Sequence, residues 1–311
     1  MSYSKVTVVG AGQVGATAAQ LLALDAVANV VMIDVAEGLP QGKALDLMHM
    51  RSVYGFPTSV TGTNDYADTA ASDVVVITAG LARKPGMTRD DLLAANSRIM
   101  SSVIDEAVAA SPDAVFICVT NPLDIMTYLA WKRSGLPSSR VLGMGGVLDS
   151  ARFAFAVAEK CGCAVDRVSA LACGAHGDAM VPMPRHTTID GVPITESLAA
   201  DAVEDLVQRT IFGGAEVVGL LKTGSAFYAP AASIVAMVKA VLGDTGEVLP
   251  SCVLLSGEYG IDDVYLSVPA ALGRSGVRGV VDPGFDDAER AALQASAATV
   301  AEALDALDLR D

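Results

Sequence analysis

Lys5-Val6-Thr7-Val8-Val9-Gly10-Ala11-Gly12-Gln13-Val14-Gly15 is the stretch that decides how this chain is read, because an apolar run passes into a glycine-spaced turn and then into a helical pattern. Residues 5–9 read as a buried strand and residues 13–24 as a helix. Between them stands G-x-G-x-x-G. In that context the first glycine permits the tight turn, the second lets backbone approach a pyrophosphate, and the third lets helix and strand pack closely. The helix N-terminus then offers N–H donors and the positive end of its dipole to phosphates. Nineteen residues after Gly15, at the end of the next strand, stands Asp34. A carboxylate there accepts from ribose hydroxyls and repels a 2′-phosphate, which favours NAD over NADP. Gly10, Ala11, Gly12, Gln13, Val14, Gly15 and Asp34 are therefore the candidate cofactor-binding set.

Working outward, further strands are expected at 30–34, 73–79, 114–120 and 140–144, with helices at 39–52, 90–110 and 122–134 between them. Thr88 is the candidate cap of the helix at 90–110. Alternating strands and helices of this kind predict a parallel sheet covered by helices. After about residue 150 the rhythm changes. A helix at 149–160 leads into short strands at 168–173, 181–189, 248–256 and 264–268, with longer helices at 198–221 and 228–242. The C-terminal segment, 286–307, sets Leu293, Val300, Leu304 and Leu307 on one stripe of an amphipathic helix. The expected fold class is α/β: a Rossmann doubly wound parallel sheet over 1–148, and an α+β substrate domain over 149–311.

Composition excludes several functions. The 311 residues carry 21 Lys and Arg against 36 Asp and Glu, a net charge of −15, so the basic surplus needed to bind nucleic-acid phosphates is missing. With 52% of residues hydrophobic, there is ample apolar surface to offset the entropy of ordering the chain. Residues 6–24 are uncharged, but three glycines and two glutamines interrupt them, which argues against a membrane span or a signal peptide. Five cysteines, an odd count in a long chain, suit reduced thiols and a cytoplasmic location. Cys161-Gly162-Cys163 has no nearby histidine to complete a metal site, so no metal is expected. Tyr128-x-x-x-Lys132 imitates a catalytic pair of short-chain dehydrogenases, yet it reads better as a helix face bearing an aromatic and a snorkelling lysine.

Of the three histidines, His49 lies in a helical pattern and His186 in a strand-like run, whereas His176 sits in the glycine-flanked turn Gly174-Ala175-His176-Gly177-Asp178. Arg89 and Arg152 fall near expected helix N-termini, where the macrodipole disfavours a cation by roughly 0.3–1 kcal/mol. Asp149 and Arg152, spaced i, i+3, share a helix face. The loop from Gly80 to Arg89 holds Arg83, Lys84 and Arg89 among its glycines and proline, a candidate lid and anion site in an acidic chain.

Together the glycine loop, Asp34, the segment from Arg83 to Arg89, Val119-Thr120-Asn121-Pro122, Leu148-Asp149-Ser150-Ala151-Arg152 and Gly174-Ala175-His176-Gly177-Asp178 resemble the lactate/malate dehydrogenase family, in its lactate-dehydrogenase-like malate branch. The resemblance implies NAD as cofactor, a homodimer or homotetramer, and hydride transfer between malate and NAD. It implies His176 as acid/base with Asp149 as its orienting partner, Arg152 on the substrate's C1 carboxylate, Arg89 on the keto oxygen and Asn121 hydrogen-bonded to substrate. Val119, Thr120 and Asn121 would line the nicotinamide site, with Asn96 near the cofactor and Ser225 near the substrate. Arg83, where lactate dehydrogenases carry a neutral glutamine, would pair with the distal carboxylate of malate or oxaloacetate. A lactate or other 2-hydroxyacid dehydrogenase, and a non-catalytic NAD(H)-sensing protein, are the alternatives. Ala175 departs from the branch's usual second glycine before the histidine.

Overall fold

Strand β1 (Lys5–Val9) runs parallel to β2 (Asn29–Ile33) on one side and to β4 (Val74–Ile77) on the other. Outside these, β3 (Val60–Thr63) pairs with β2, β5 (Val115–Cys118) with β4, and β6 (Val141–Gly143) with β5, all parallel. The order β3-β2-β1-β4-β5-β6 reverses direction between β1 and β4. In such sheets ligands bind at the carboxyl ends of the strands flanking that switch point, which is where the glycine loop emerges. Every residue of β4 and β5 is buried, as a strand covered on both faces requires.

The computed structural model describes residues 3–81 and 89–310, and these divide into two compact units. The first comprises Met1–Met144, Phe227–Glu247 and Leu272–Arg278. Its helices are α1 (Gln13–Leu24), α2 (Leu39–Tyr54), α3 (Arg89–Ala110) and α4 (Leu123–Ser134), joined by α7 (Tyr228–Leu242), which packs on α1. Lys239 of α7 is 2.6 Å from the Asp25 carboxylate just past α1. Strand β3 is an addition to the sequence reading. Its Val-Thr-Gly-Thr composition lacks an apolar run, and only its two end residues are buried.

Gly15 shows why the helix can sit so close to the strand end. A Cβ there would stand 1.9 Å from the Gly10 carbonyl oxygen, so any side chain forces the loop and α1 apart. Gly15→Ala is expected to destabilise the fold by about 1–3 kcal/mol, the usual range for overpacking, and to weaken NADH binding. Thermal unfolding and NADH fluorescence titration measure both effects.

The second unit comprises Gly145–Ala226, Val248–Ala271 and Gly279–Asp311. Its antiparallel sheet pairs β9 (Val248–Ser256) with β10 (Asp262–Gly273), β10 with β7 (Ala172–Gly174) at Ser267 and Gly174, and β7 with β8 (Met180–Pro182). Helices α5 (Gly146–Cys161), α6 (Ala200–Leu221) and α8 (Asp287–Asp305) cover it, and Phe153 and Val157 of α5 pack with Leu206 of α6 and with Ile194, in the short turn before α6, in a buried cluster. The expected strands at 168–173 and 181–189 are each broken. Val168–Ser169 and Thr188–Ile189 pair in a separate small sheet with Val192–Pro193, while Pro184–His186 forms a single 3-10 turn. Prolines 182 and 184 have no N–H to give a ladder, which ends the strand there.

Helix α5 begins three residues before the expected start, at Gly146 with Gly145 as its cap. The Gly146 N–H donates to Ser267 Oγ at 3.1 Å, so the partner for this helix end comes from a distant strand. Asp149 therefore occupies the first turn, where the dipole favours an acid, and Arg152 lies in the second turn. Arg152 therefore lies beyond the first turn, where the dipole's penalty on a cation has fallen off, contrary to the expectation from a start at Asp149.

Candidate active site

In the first unit, the Gly10 N–H donates to the Ile33 carbonyl at 2.8 Å, tying the start of the glycine loop to the end of β2. Asp34 follows directly. Its carboxylate accepts from the Ala11 N–H at 2.7 Å and from the Ala36 N–H at 2.9 Å, which fixes both oxygens beside the loop. Each oxygen retains lone-pair capacity for a ribose hydroxyl. Lys43, on α2, donates to the Ala11 carbonyl at 2.7 Å, a brace that no local signature in the sequence announces. Gly12 and Gln13 are exposed where α1 begins, and a Cβ at Gly12 would meet nothing within 4 Å. An open loop edge at a helix N-terminus, with a carboxylate at the neighbouring strand end, fits a dinucleotide. Tyr66 is near enough to Asp34 to feel its charge, but burial, with Glu106 and Asp34, pushes the phenol up to about 12 and keeps it neutral.

Asn96 is 1% exposed and directs its amide at backbone. Its Oδ1 accepts from the Leu81 N–H at 2.8 Å, and its Nδ2 donates to the Asn121 carbonyl at 2.7 Å and the Leu81 carbonyl at 3.2 Å. It thereby joins the segment leaving β4 to the segment leaving β5. Thr120 reinforces the same junction by donating to the Ala79 carbonyl at 2.7 Å. Val119 is half-buried and Asn121 exposed, with a cis peptide bond to Pro122. Arg83 and Thr88 lie outside the described residues, and Arg89 enters as the first residue of α3, its side chain outside them too.

The second unit brings Asp149, Arg152 and His176 together. Asp149 is 2% exposed, and its two carboxylate oxygens go to different partners. Oδ2 lies 2.8 Å from His176 Nδ1, and Oδ1 accepts from Arg152 Nη1 at 3.0 Å. A buried carboxylate with both oxygens paired to cationic or ring donors holds the imidazole in one orientation. Helix α6 crosses the arginine at a pair of glycines: a Cβ at Gly213 would touch Arg152 Cδ at 3.4 Å, and one at Gly214 would touch Nη2 at 3.5 Å. The His176 turn is held from outside by Ser296 of α8, which the sequence reading did not single out. Its hydroxyl accepts from the Ala175 N–H at 2.8 Å and donates to the Ala179 carbonyl at 2.6 Å. Ser225 is exposed in the connection between α6 and α7.

The remaining candidates behave as structure. His186 pairs with Glu289 at 3.2 Å and meets Phe285 edge-on, and His49 is exposed on α2. Tyr128 is fully buried, with Lys132 Nζ 5.5 Å from its ring centre. Gly162 adopts the left-handed conformation that ends α5, and among the described residues no group of three or more His, Cys, Asp or Glu could hold a metal ion. Burial pushes the Cys118 thiol up to about 12, so it stays protonated. Among the described residues no helix is long and apolar enough to cross a membrane.

Residues 4–143 match the family described as lactate/malate dehydrogenase, NAD binding domain, and residues 146–307 match its alpha/beta C-terminal domain. The malate dehydrogenase of Synechocystis sp. is 52% identical over 296 residues, covering 95% of this chain and 91% of the relative. The crystal structure of Cryptosporidium parvum malate dehydrogenase superposes with a TM-score of 0.95 at 42% identity, over 99% of each chain. A lactate dehydrogenase from the same organism, solved with lactic acid and β-nicotinamide adenine dinucleotide, gives 0.94 at 39% identity, over 98% of this chain and 99% of that one. The two solved proteins are nearly equal in likeness of fold, so fold alone does not separate their substrates.

Proposed function

This chain belongs to the lactate/malate dehydrogenase family, and from that membership we propose that it interconverts (S)-malate and oxaloacetate with NAD as the redox partner. The observation that carries the reading is Asp149, whose buried carboxylate holds His176 with one oxygen and Arg152 with the other. Bound NADH supplies the hydride that reduces the keto carbon. Every other role belongs to side chains of the chain itself. With Nδ1 committed to Asp149, His176 exchanges the proton of the substrate oxygen through Nε2, and the carboxylate stabilises the imidazolium that donates it. Arg152 grips the C1 carboxylate with its planar fork, Arg89 polarises the keto oxygen, and Asn121 hydrogen-bonds substrate. Arg83 pairs with the distal carboxylate, and Ser225 lies beside the substrate. The loop from Gly10 to Gly15 with Asp34, Asn96, Val119, Thr120 and Asn121 serves the cofactor.

On this reading residues 1–148 carry the cofactor set together with Arg83, Arg89 and Asn121 for the substrate, and 149–311 carry His176, Asp149, Arg152 and Ser225, although Phe227–Glu247 and Leu272–Arg278 pack with the first unit. Exposed apolar side chains on α2 (Leu45, Val53, Tyr54) and α6 (Phe212, Leu220) support a homo-oligomer, dimer or tetramer, which sedimentation distinguishes from a monomer. The charge balance and reduced cysteines support a cytoplasmic enzyme that binds neither nucleic acid nor membrane. The decisive assay follows NADH oxidation with oxaloacetate and then pyruvate. Faster turnover of oxaloacetate is expected. Faster turnover of pyruvate would mark a lactate dehydrogenase, and turnover of neither would mark an NAD(H)-sensing protein.

A further inference from the structure

We propose that Ser296, on the C-terminal helix, is a positioning residue that clamps both ends of the His176 turn and so sets the imidazole for proton transfer. This rests on the dehydrogenase reading above. A serine in the middle of a helix ordinarily returns its hydroxyl to its own backbone or points to solvent. Ser296 does neither. It is 4% exposed, and the bonds of its hydroxyl cross to residues more than a hundred positions earlier in the chain.

The chemistry of the two partners fixes the hydroxyl's direction. The Ala175 N–H can only donate and the Ala179 carbonyl can only accept, so the serine proton must point at Ala179 while a lone pair faces Ala175. The residues enclosed between these two bonds are His176, Gly177 and Asp178. Inside the turn, the Met180 N–H donates to the Gly177 carbonyl at 3.1 Å, closing it on the side that leads into β8. On the other side Gly174 has φ +86°, and a Cβ there would come 2.8 Å from Ser296 Oγ, so glycine and clamp require each other. His176 thus meets Asp149 at 2.8 Å from a loop anchored by one hydroxyl on α8.

Near-attack geometry is sensitive, and a misplacement of about 1 Å can cost on the order of 100-fold in rate. Ser296→Ala removes both bonds at once. Its kcat with oxaloacetate and NADH is expected to fall about 10- to 100-fold. The Kd for NADH should stay at the wild-type value because the Gly10–Gly15 loop is untouched, and KM for oxaloacetate should change far less than kcat. Ser296→Thr keeps a hydroxyl and should recover most of the rate. Val300→Ala, a buried position on the same helix with no bond to the turn, should lower the melting temperature and leave kcat alone.

Hydrogen exchange over residues 175–180 reads the clamp whatever the substrate, and Ser296→Ala should raise it. Wild-type kcat and wild-type exchange in Ser296→Ala would overturn the proposal, as would an equal loss of kcat in Val300→Ala. A wild-type enzyme that turns over no 2-keto acid overturns the dehydrogenase reading instead, and exchange over 175–180 then decides the clamp alone.

Discussion

His176→Asn should lower kcat for oxaloacetate reduction by about 10²- to 10⁴-fold, the span over which general acid–base catalysis contributes. Asparagine keeps a polar side chain of similar reach but has no proton to exchange near neutral pH. Asp149 would lose its ring partner and keep Arg152, so the carboxylate remains paired and the fold should survive. NADH affinity should not change. Steady-state kinetics beside NADH fluorescence titration checks both halves, and a variant within threefold of wild-type kcat would remove His176 from the chemistry.

The second large effect concerns selectivity. Arg83→Gln should collapse the preference for oxaloacetate over pyruvate, because a site built around a buried polar partner rejects an analogue lacking it by up to about 10⁴-fold. Pyruvate has no distal carboxylate, so on the proposed role of Arg83 it would leave the guanidinium unpaired in the wild type, at a cost that glutamine does not impose. The test is the ratio of kcat/KM for the two keto acids in both proteins. An unchanged ratio means that selectivity resides elsewhere.

The parts of the fold that were legible are those punctuated locally. Helix α1, strand β9 and helix α7 begin and end as read from sequence; glycines or charged residues mark both ends of the first two, and Gly243 follows the third. The parallel order of the first unit followed from alternation of strand and helix patterns. What escaped notice depends on partners far away in the chain. Helix α5 starts at Gly146 because Ser267 accepts its N–H from across the sheet, and no local cap residue announces that start. Ser296 escaped for the same reason, although a signal was present. It lies on the stripe of α8 that buries Leu293, Ala297, Val300 and Leu304, and a hydroxyl among those side chains calls for a partner. Lys43 carries no such mark, being one more cation on a half-exposed helix.

The divided carboxylate of Asp149 constrains how such a protein can be altered over generations. Because a single acidic side chain pairs with both the His176 ring and the Arg152 guanidinium, a change at either will be felt by the other, and double substitutions there should depart from additivity. Novelty in substrate choice is then channelled toward positions off this wiring. Proton exchange and the grip proposed for the C1 carboxylate are thus inherited together, and only recognition outside this shared knot of bonds is left open to single substitutions.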